Sequence, residues 1–93
     1  MARYLVEARH VPDDCTAALD SVLGVSRELL NRFDWGCKAG EHIGWAVVEA
    51  QDERTARMLL PTTIRGNARL IIINKFTPEE VNSFHEDEAG KDA

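Results

Sequence analysis

The order of its strand and helix patterns is the feature that most constrains how this 93-residue chain folds. Strict alternation of apolar and polar residues predicts strands, and apolar residues recurring every three or four positions predict helices. Glycine and proline mark the boundaries between them. The patterns predict strands near residues 3–10, 33–38, 43–50 and 68–76, helices near residues 13–33 and 53–60, and a brief terminal helix beginning at "TPEEV".

This order of elements, strand, helix, strand, strand, helix, strand, predicts a ferredoxin-like βαββαβ sandwich of the α+β class. We expect a four-stranded antiparallel sheet in the order four, one, three, two. Two helices should cover one face, and a short C-terminal helix should follow the last strand. Residues 1–85 are predicted to form a single domain, and residues 86–93 a flexible acidic tail.

Charge, the N-terminal segment and the two cysteines limit the partners and the cellular location that we expect for this chain. The 11 Lys and Arg residues against 16 Asp and Glu give a formal charge of −5, which disfavours binding through phosphate neutralisation, so no nucleic acid partner is expected. The N-terminal "MARYLVEARH" has no apolar run of membrane or signal length, which favours a cytoplasmic location without a membrane partner. Cys15 and Cys37 match no disulfide framework and are interpreted as reduced thiols.

One face of the predicted sheet has no helix to cover it. Alternation places Leu5, Trp45 and Val47 on that face, together with one row of the isoleucines in "LIII". Because a chain of this length has a thin core, burying these side chains against a second copy is favourable. The sequence therefore predicts a homodimer formed through the sheet faces.

The element order, the strand-then-helix segment "WAVVEAQDERTARMLL" and the "LLPTTI" before the last strand resemble the dimeric α/β-barrel families. Within them the chain is similar to muconolactone isomerase and to small nickel-binding domains. The resemblance covers roughly residues 3–76 and implies two ferredoxin-like sheets that face each other. It also places His10 near the first-strand histidines of the nickel-binding domains, but it implies no particular reaction.

Three side chains near the hairpin between strands two and three form a candidate metal site. If the turn centres on Gly40 and Glu41, Cys37 lies opposite Gly44 and shares a face with His42. The first strand brings His10 to the same edge. A thiolate and two imidazoles suit zinc, nickel or copper, and Glu41 could complete the coordination.

The alternative for these residues is packing, in which Cys37 is a small buried residue and the histidines bond to backbone or water. Trp35 and Trp45 are expected on opposite faces of the sheet. Each is a core or dimer anchor, or the wall of a ligand pocket.

A second candidate site lies on the helix-free face, where Glu7 points into the space between the two sheets. A carboxylate in such a half-apolar cavity could act as a catalytic base. The alternative is an ordinary ion pair between Glu7 and Arg9 at the rim.

Three functions remain open on this basis. The chain is a homodimeric binding domain for a metal ion or small ligand, a small enzyme of the isomerase or cofactor-free oxygenase type, or a purely structural interaction module. A small-molecule substrate or ligand is a possible partner in the first two cases.

Overall fold

The computed structural model describes the backbone of residues 1–92 and the side chains of residues 1–86. The described chain has an α+β fold with one four-stranded antiparallel sheet and a C-terminal helix, which confirms the class, the sheet and that helix. The strands are β1 Ala2–Arg9, β2 Phe33–Trp35, β3 Ile43–Ala50 and β4 Ala68–Ile73. The helices are α1 Cys15–Val25, α2 Arg27–Arg32, α3 Glu53–Met58, α4 Thr62–Arg65 and α5 Pro78–Asp92. Two 3₁₀ turns, Pro12–Asp14 and Cys37–Ala39, complete the described elements.

The strands lie in the order β2-β3-β1-β4, so β1 is an inner strand paired on both sides. Along β1 the alternate residues Tyr4, Val6 and Ala8 are buried, whereas Leu5 and Glu7 are only half-buried. Successive side chains of a strand point to opposite faces, so this pattern identifies one covered and one open face. The covered face packs against the helices.

The hydrophobic core lies between the covered face of the sheet and the helices α1 to α4. Val22 of α1 and Leu60, just after α3, are among its largest fully buried side chains. The other residues of this packed core are Tyr4, Val6, Ala8, Ala18, Leu29, Phe33, Ala46, Val48, Ala50, Ala56, Ile64 and Ala68. Many of them are alanine or valine, so the helices approach the sheet closely.

The single helix predicted over residues 13–33 is wrong, because the structure contains two helices with a break at Ser26. Ser26 has extended backbone angles, and its hydroxyl accepts a hydrogen bond from the Leu29 backbone N–H at 3.0 Å. A serine in this position satisfies one of the free N–H groups at the start of a new helix. Gly24, two residues before this break, lies inside α1.

The terminal helix is longer than the brief helix that "TPEEV" predicts. Thr77 and Glu80 form a reciprocal capping box, in which each side chain accepts a hydrogen bond at 3.2 Å from the other residue's backbone N–H. The flexible tail predicted for residues 86–93 falls almost entirely outside the described side chains and stays a prediction. Within residues 1–92, no helix is both long enough and apolar enough to span a membrane.

The open face carries apolar side chains in its centre and charged ones around them. In the sheet register, Leu5 is paired with Val47 on one side and with Ile71 on the other. We call this surface the open face; it comprises Arg3, Leu5, Glu7, Trp45, Val47, Glu49, Arg69, Ile71 and Ile73.

The cap at Ser26 generates the first testable prediction. Ser26→Ala should lower the free energy of unfolding by about 1 kcal/mol, because the Leu29 N–H loses its acceptor at the start of α2. Ser26→Asp supplies an equivalent acceptor and should unfold close to wild type. Urea denaturation measures both, and equal stability of the alanine and aspartate variants would show that the cap contributes nothing.

Candidate metal centre

Backbone pairing between β1 and β3 brings His10 and His42 together. The last pair in the ladder is Arg9 with Ile43, and the His10 backbone N–H then donates to the His42 carbonyl at 3.1 Å. The two histidines therefore continue the register by one residue. Because side chains alternate along a strand, both point to the covered side, two residues beyond the Ala8 and Gly44 pair.

The 3₁₀ turn after β1 places Cys15 beside the two histidines. The Asp14 N–H donates to the Val11 carbonyl at 2.9 Å, which turns the chain back after the strand. Pro12 favours such a turn because its ring fixes φ near the helical value. Cys15 is the first residue of α1, so its thiol lies at the end of the helix that faces the strand ends.

The loop between β2 and β3, which carries Cys37, differs from the predicted hairpin. The predicted register is wrong: β2 ends at Trp35, which pairs with Gly44, and Cys37 begins a 3₁₀ turn. Gly36 holds the loop closed, since its carbonyl accepts hydrogen bonds from the Ala39 and Glu41 N–H groups, both at 2.9 Å.

Gly40 ends this turn with a φ of 88°, a left-handed conformation that glycine adopts without steric cost. The loop therefore reverses over more residues than the two-residue turn predicted at Gly40 and Glu41. It nevertheless carries Cys37 and His42 to the same place.

Four potential metal-binding atoms meet at this end of the sheet, all within 4.8 Å of one another. His10 Nε2 lies 3.1 Å from Cys15 Sγ and 3.3 Å from Cys37 Sγ, so it sits between the two sulfurs. Cys15 Sγ is also 3.1 Å from Nδ1 of His42. We call this group the Cys2His2 cluster; it comprises His10, Cys15, Cys37 and His42.

These distances are close to those between the ligands of a tetrahedral zinc ion. Zinc–nitrogen bonds of about 2.0 Å and zinc–sulfur bonds of about 2.3 Å place neighbouring ligand atoms roughly 3.3–3.8 Å apart in a tetrahedron. Three of the distances in the Cys2His2 cluster are 3.1–3.3 Å and all lie within 4.8 Å, a span that includes this range. The cluster could therefore hold a metal ion.

The electrostatics of the Cys2His2 cluster favour the uncharged form of the Cys15 thiol. Burial raises the pKa of the Cys15 thiol, and the neighbouring Cys37 together with Asp14 and Asp13 raises it further. A bound divalent cation would reverse this effect, because two thiolates would neutralise its charge. Metal uptake at this site would accordingly release protons.

Trp35 forms one wall of the Cys2His2 cluster. Its ring stacks on Phe33 with centroids 5.2 Å apart and meets the His10 ring edge-on at 6.0 Å. It also covers Gly44, where an added Cβ would lie 2.8 Å from the indole ring. Trp35 therefore packs against the His10 side of the cluster, and its role as the wall of a ligand pocket stays a prediction.

The other predicted site residues lie away from the cluster. Glu41 is exposed and is not among the clustered ligand atoms. Glu7 lies on the open face, where its carboxylate is 3.8 Å from Arg69 and accepts a hydrogen bond from Trp45 Nε1 at 3.4 Å. These contacts support the ion-pair alternative for Glu7, with Arg69 rather than Arg9 as the partner.

Trp35 and Trp45 lie on opposite faces of the sheet, as expected. In the sheet register Trp35 pairs with Gly44 on the covered side, whereas Trp45 pairs with Glu7 on the open face. A shallow groove of about 250 Å³ runs beside Trp45 on the open face, bordered by Leu5 and Val47.

Sequence reasoning missed Cys15, although the spacing contains a signal for it. His10 and Cys15 are separated by four residues, and so are Cys37 and His42, in the opposite order. Each cysteine begins a helical turn, and each histidine lies at the end of a strand. The same spacing in opposite order therefore indicates two similar segments, each at a strand end, that face each other.

Comparisons with known proteins place the chain in no family. No protein-family model, no curated protein and no solved structure matches it. We therefore infer the function of the chain from the geometry of its own residues.

The contact between Trp35 and Gly44 can be tested by a pair of glycine substitutions. Gly44→Ala should lower the free energy of unfolding by about 1–3 kcal/mol, because the new methyl group displaces the indole ring. Gly24→Ala is the matched control. It adds a methyl where nothing lies within 4 Å and should stabilise α1 by about 0.5–1 kcal/mol. A Gly44→Ala protein as stable as wild type would contradict this packing.

Proposed function

We propose that this chain is a small homodimeric binding domain in which the Cys2His2 cluster holds one zinc ion. The observation that carries the proposal is the convergence of two thiols and two imidazoles, from three separate segments, within 4.8 Å. This donor set is one of the usual sets for structural zinc. Nickel and copper accept the same ligand types, but a set of two thiolates and two imidazoles is a usual tetrahedral zinc set, which favours zinc.

Hydrogen bonding alone is a weaker explanation of the cluster. Thiols are poor hydrogen-bond donors and acceptors, so four half-buried polar groups would gain little from one another. Among the described residues, the side chain of His10 has no hydrogen-bond partner other than the two sulfurs. A metal ion supplies the strong interaction that this arrangement otherwise lacks.

Four protein ligands favour a structural metal over a catalytic one. Catalytic zinc sites keep one position open for water or substrate, whereas structural sites fill all four positions with side chains. Here the ion would join the end of β1, the start of α1 and the loop between β2 and β3. These segments lie at one end of the molecule, where the sheet pairing stops.

The strand order β2-β3-β1-β4 supports a ferredoxin-like sandwich, since it has the pattern expected for that fold. The open face further supports a relationship to the dimeric α/β-barrel families, in which two such sheets face each other. A second copy of this chain is the proposed partner on this face. A twofold contact would bury Leu5 and Val47 and allow Arg3 and Arg69 to meet Glu49 and Glu7 of the opposite copy.

Metal binding is tested by zinc titration and by elemental analysis of protein purified without a metal-affinity tag. Wild-type protein should bind one zinc per chain. Cys15→Ser should weaken binding by more than the roughly 10–100-fold typical of losing a supporting contact, because it removes a direct ligand. Glu41→Gln is the control and should bind as wild type does, since Glu41 lies outside the cluster. Full zinc uptake by Cys15→Ser would refute the proposed ligand set.

The dimer is tested by sedimentation at micromolar concentration. Val47→Asp should give a folded monomer. The aspartate charge would be buried in the centre of the proposed contact, whereas in a single chain it stays in contact with water. Val81→Asp changes a similarly exposed valine of α5, 42% against 36% exposed, and should remain dimeric. A monomeric wild-type protein would contradict the dimer and leave the metal proposal standing.

A further inference from the structure

The two sulfurs of the Cys2His2 cluster are close enough to react with each other. Cys15 begins α1 and Cys37 begins the 3₁₀ turn after β2, so they are far apart in sequence. Their sulfur atoms nevertheless lie no more than 4.8 Å apart, both thiols are free, and both are only half-buried. Disulfide formation requires the sulfurs to approach to about 2.05 Å, so the two side chains must rotate towards each other.

We infer that Cys15 and Cys37 form an intramolecular disulfide under oxidation by a peroxide, and that this disulfide expels the metal ion. The release of metal rests on the proposed function; the disulfide itself does not. The protein would then hold its ion under reducing conditions and release it when peroxide is present.

The reaction balances with hydrogen peroxide as the oxidant. One thiolate attacks a peroxide oxygen, the O–O bond breaks, and the sulfur becomes a sulfenic acid while hydroxide leaves and is protonated to water. The second thiolate then attacks the sulfenic sulfur, the S–S bond forms, and the sulfenic oxygen leaves as a second water. Two thiolates, one peroxide and two protons thus give one disulfide and two waters.

The disulfide would remove two ligands of the metal ion at once. His10 Nε2 lies between the two sulfurs, at 3.1 and 3.3 Å, so all three atoms would contact the same ion. A disulfide removes both thiolates at once and leaves two neutral imidazoles, which hold zinc far less tightly than a full set of four ligands. Reduction of the disulfide restores the original ligands, so the change is reversible.

Access for a small oxidant comes from the solvent side of the site. An open cleft of about 790 Å³ lies beside the cluster, and His10 and His42 form part of its wall. Thr63 and Asn67 line the same cleft from the segment around α4. The two cysteines do not line this cleft, but both are only half-buried, so peroxide can reach their sulfurs without unfolding of the domain.

The test treats zinc-loaded wild-type protein with hydrogen peroxide and follows two signals together. A chromophoric chelator reports released zinc, and mass spectrometry of an unreduced digest reports the peptide pair that contains Cys15 and Cys37. We expect one zinc released for each disulfide formed, and recovery of zinc binding after treatment with dithiothreitol. Oxidation that gives sulfinic acids or disulfides between chains, with no Cys15 to Cys37 link, would overturn the inference.

A variant without full metal binding separates this inference from the proposed function. His42→Ala keeps both sulfurs and loses one ligand, so peroxide should form the same disulfide in it at least as fast as in wild type. If wild-type protein takes up no zinc but still forms the disulfide, the metal proposal fails and the pairing of the thiols stands. If zinc binds and no disulfide forms in either protein, the inference fails and the metal proposal stands.

Discussion

The pairing of β1 with β3 is the interaction on which the rest of the structure depends. It makes β1 an inner strand, sets the covered and open faces, and continues to the hydrogen bond between His10 and His42 at the end of the ladder. A slip of one residue would move every side chain of β1 to the opposite face. The core residue Val6 would then face solvent, and the two histidines would no longer meet. The same register thus determines both the core and the metal centre.

In a domain of this size, a strong interaction at the end of the sheet contributes substantially to the stability of the folded state. Chains below about 100 residues bury a modest fraction of their surface, and many small domains use metals, disulfides or association to compensate. Here the ladder ends where the chain turns into α1 and into the loop after β2, so no further strand pairing joins these segments within the described residues. An ion bound by the Cys2His2 cluster would stabilise the folded state in proportion to its affinity, by about 2.7 kcal/mol at a concentration 100 times the dissociation constant.

The sequence predicts the regular parts of this structure well, because alternation and capping are local properties. The two-face pattern of β1, the boundaries of β3, and the approach of His10, Cys37 and His42 are all present in the structure. The loop between β2 and β3 was predicted with the wrong register. Its shape depends on a 3₁₀ turn and on the left-handed Gly40, which the alternation of flanking residues does not reveal. Cys15 was missed for a related reason: its place depends on how the turn after β1 directs the start of α1, which is a tertiary property.

The proposed metal ion would be surrounded by two sulfurs and two nitrogens. X-ray absorption at the zinc edge, on protein loaded with one equivalent of zinc, measures those ligands directly. We expect two sulfur atoms at about 2.3 Å and two nitrogen atoms at about 2.0–2.1 Å. A shell of oxygen and nitrogen atoms alone, or a single sulfur, would contradict this proposal, because the metal would then lie outside the cluster formed by His10, Cys15, Cys37 and His42.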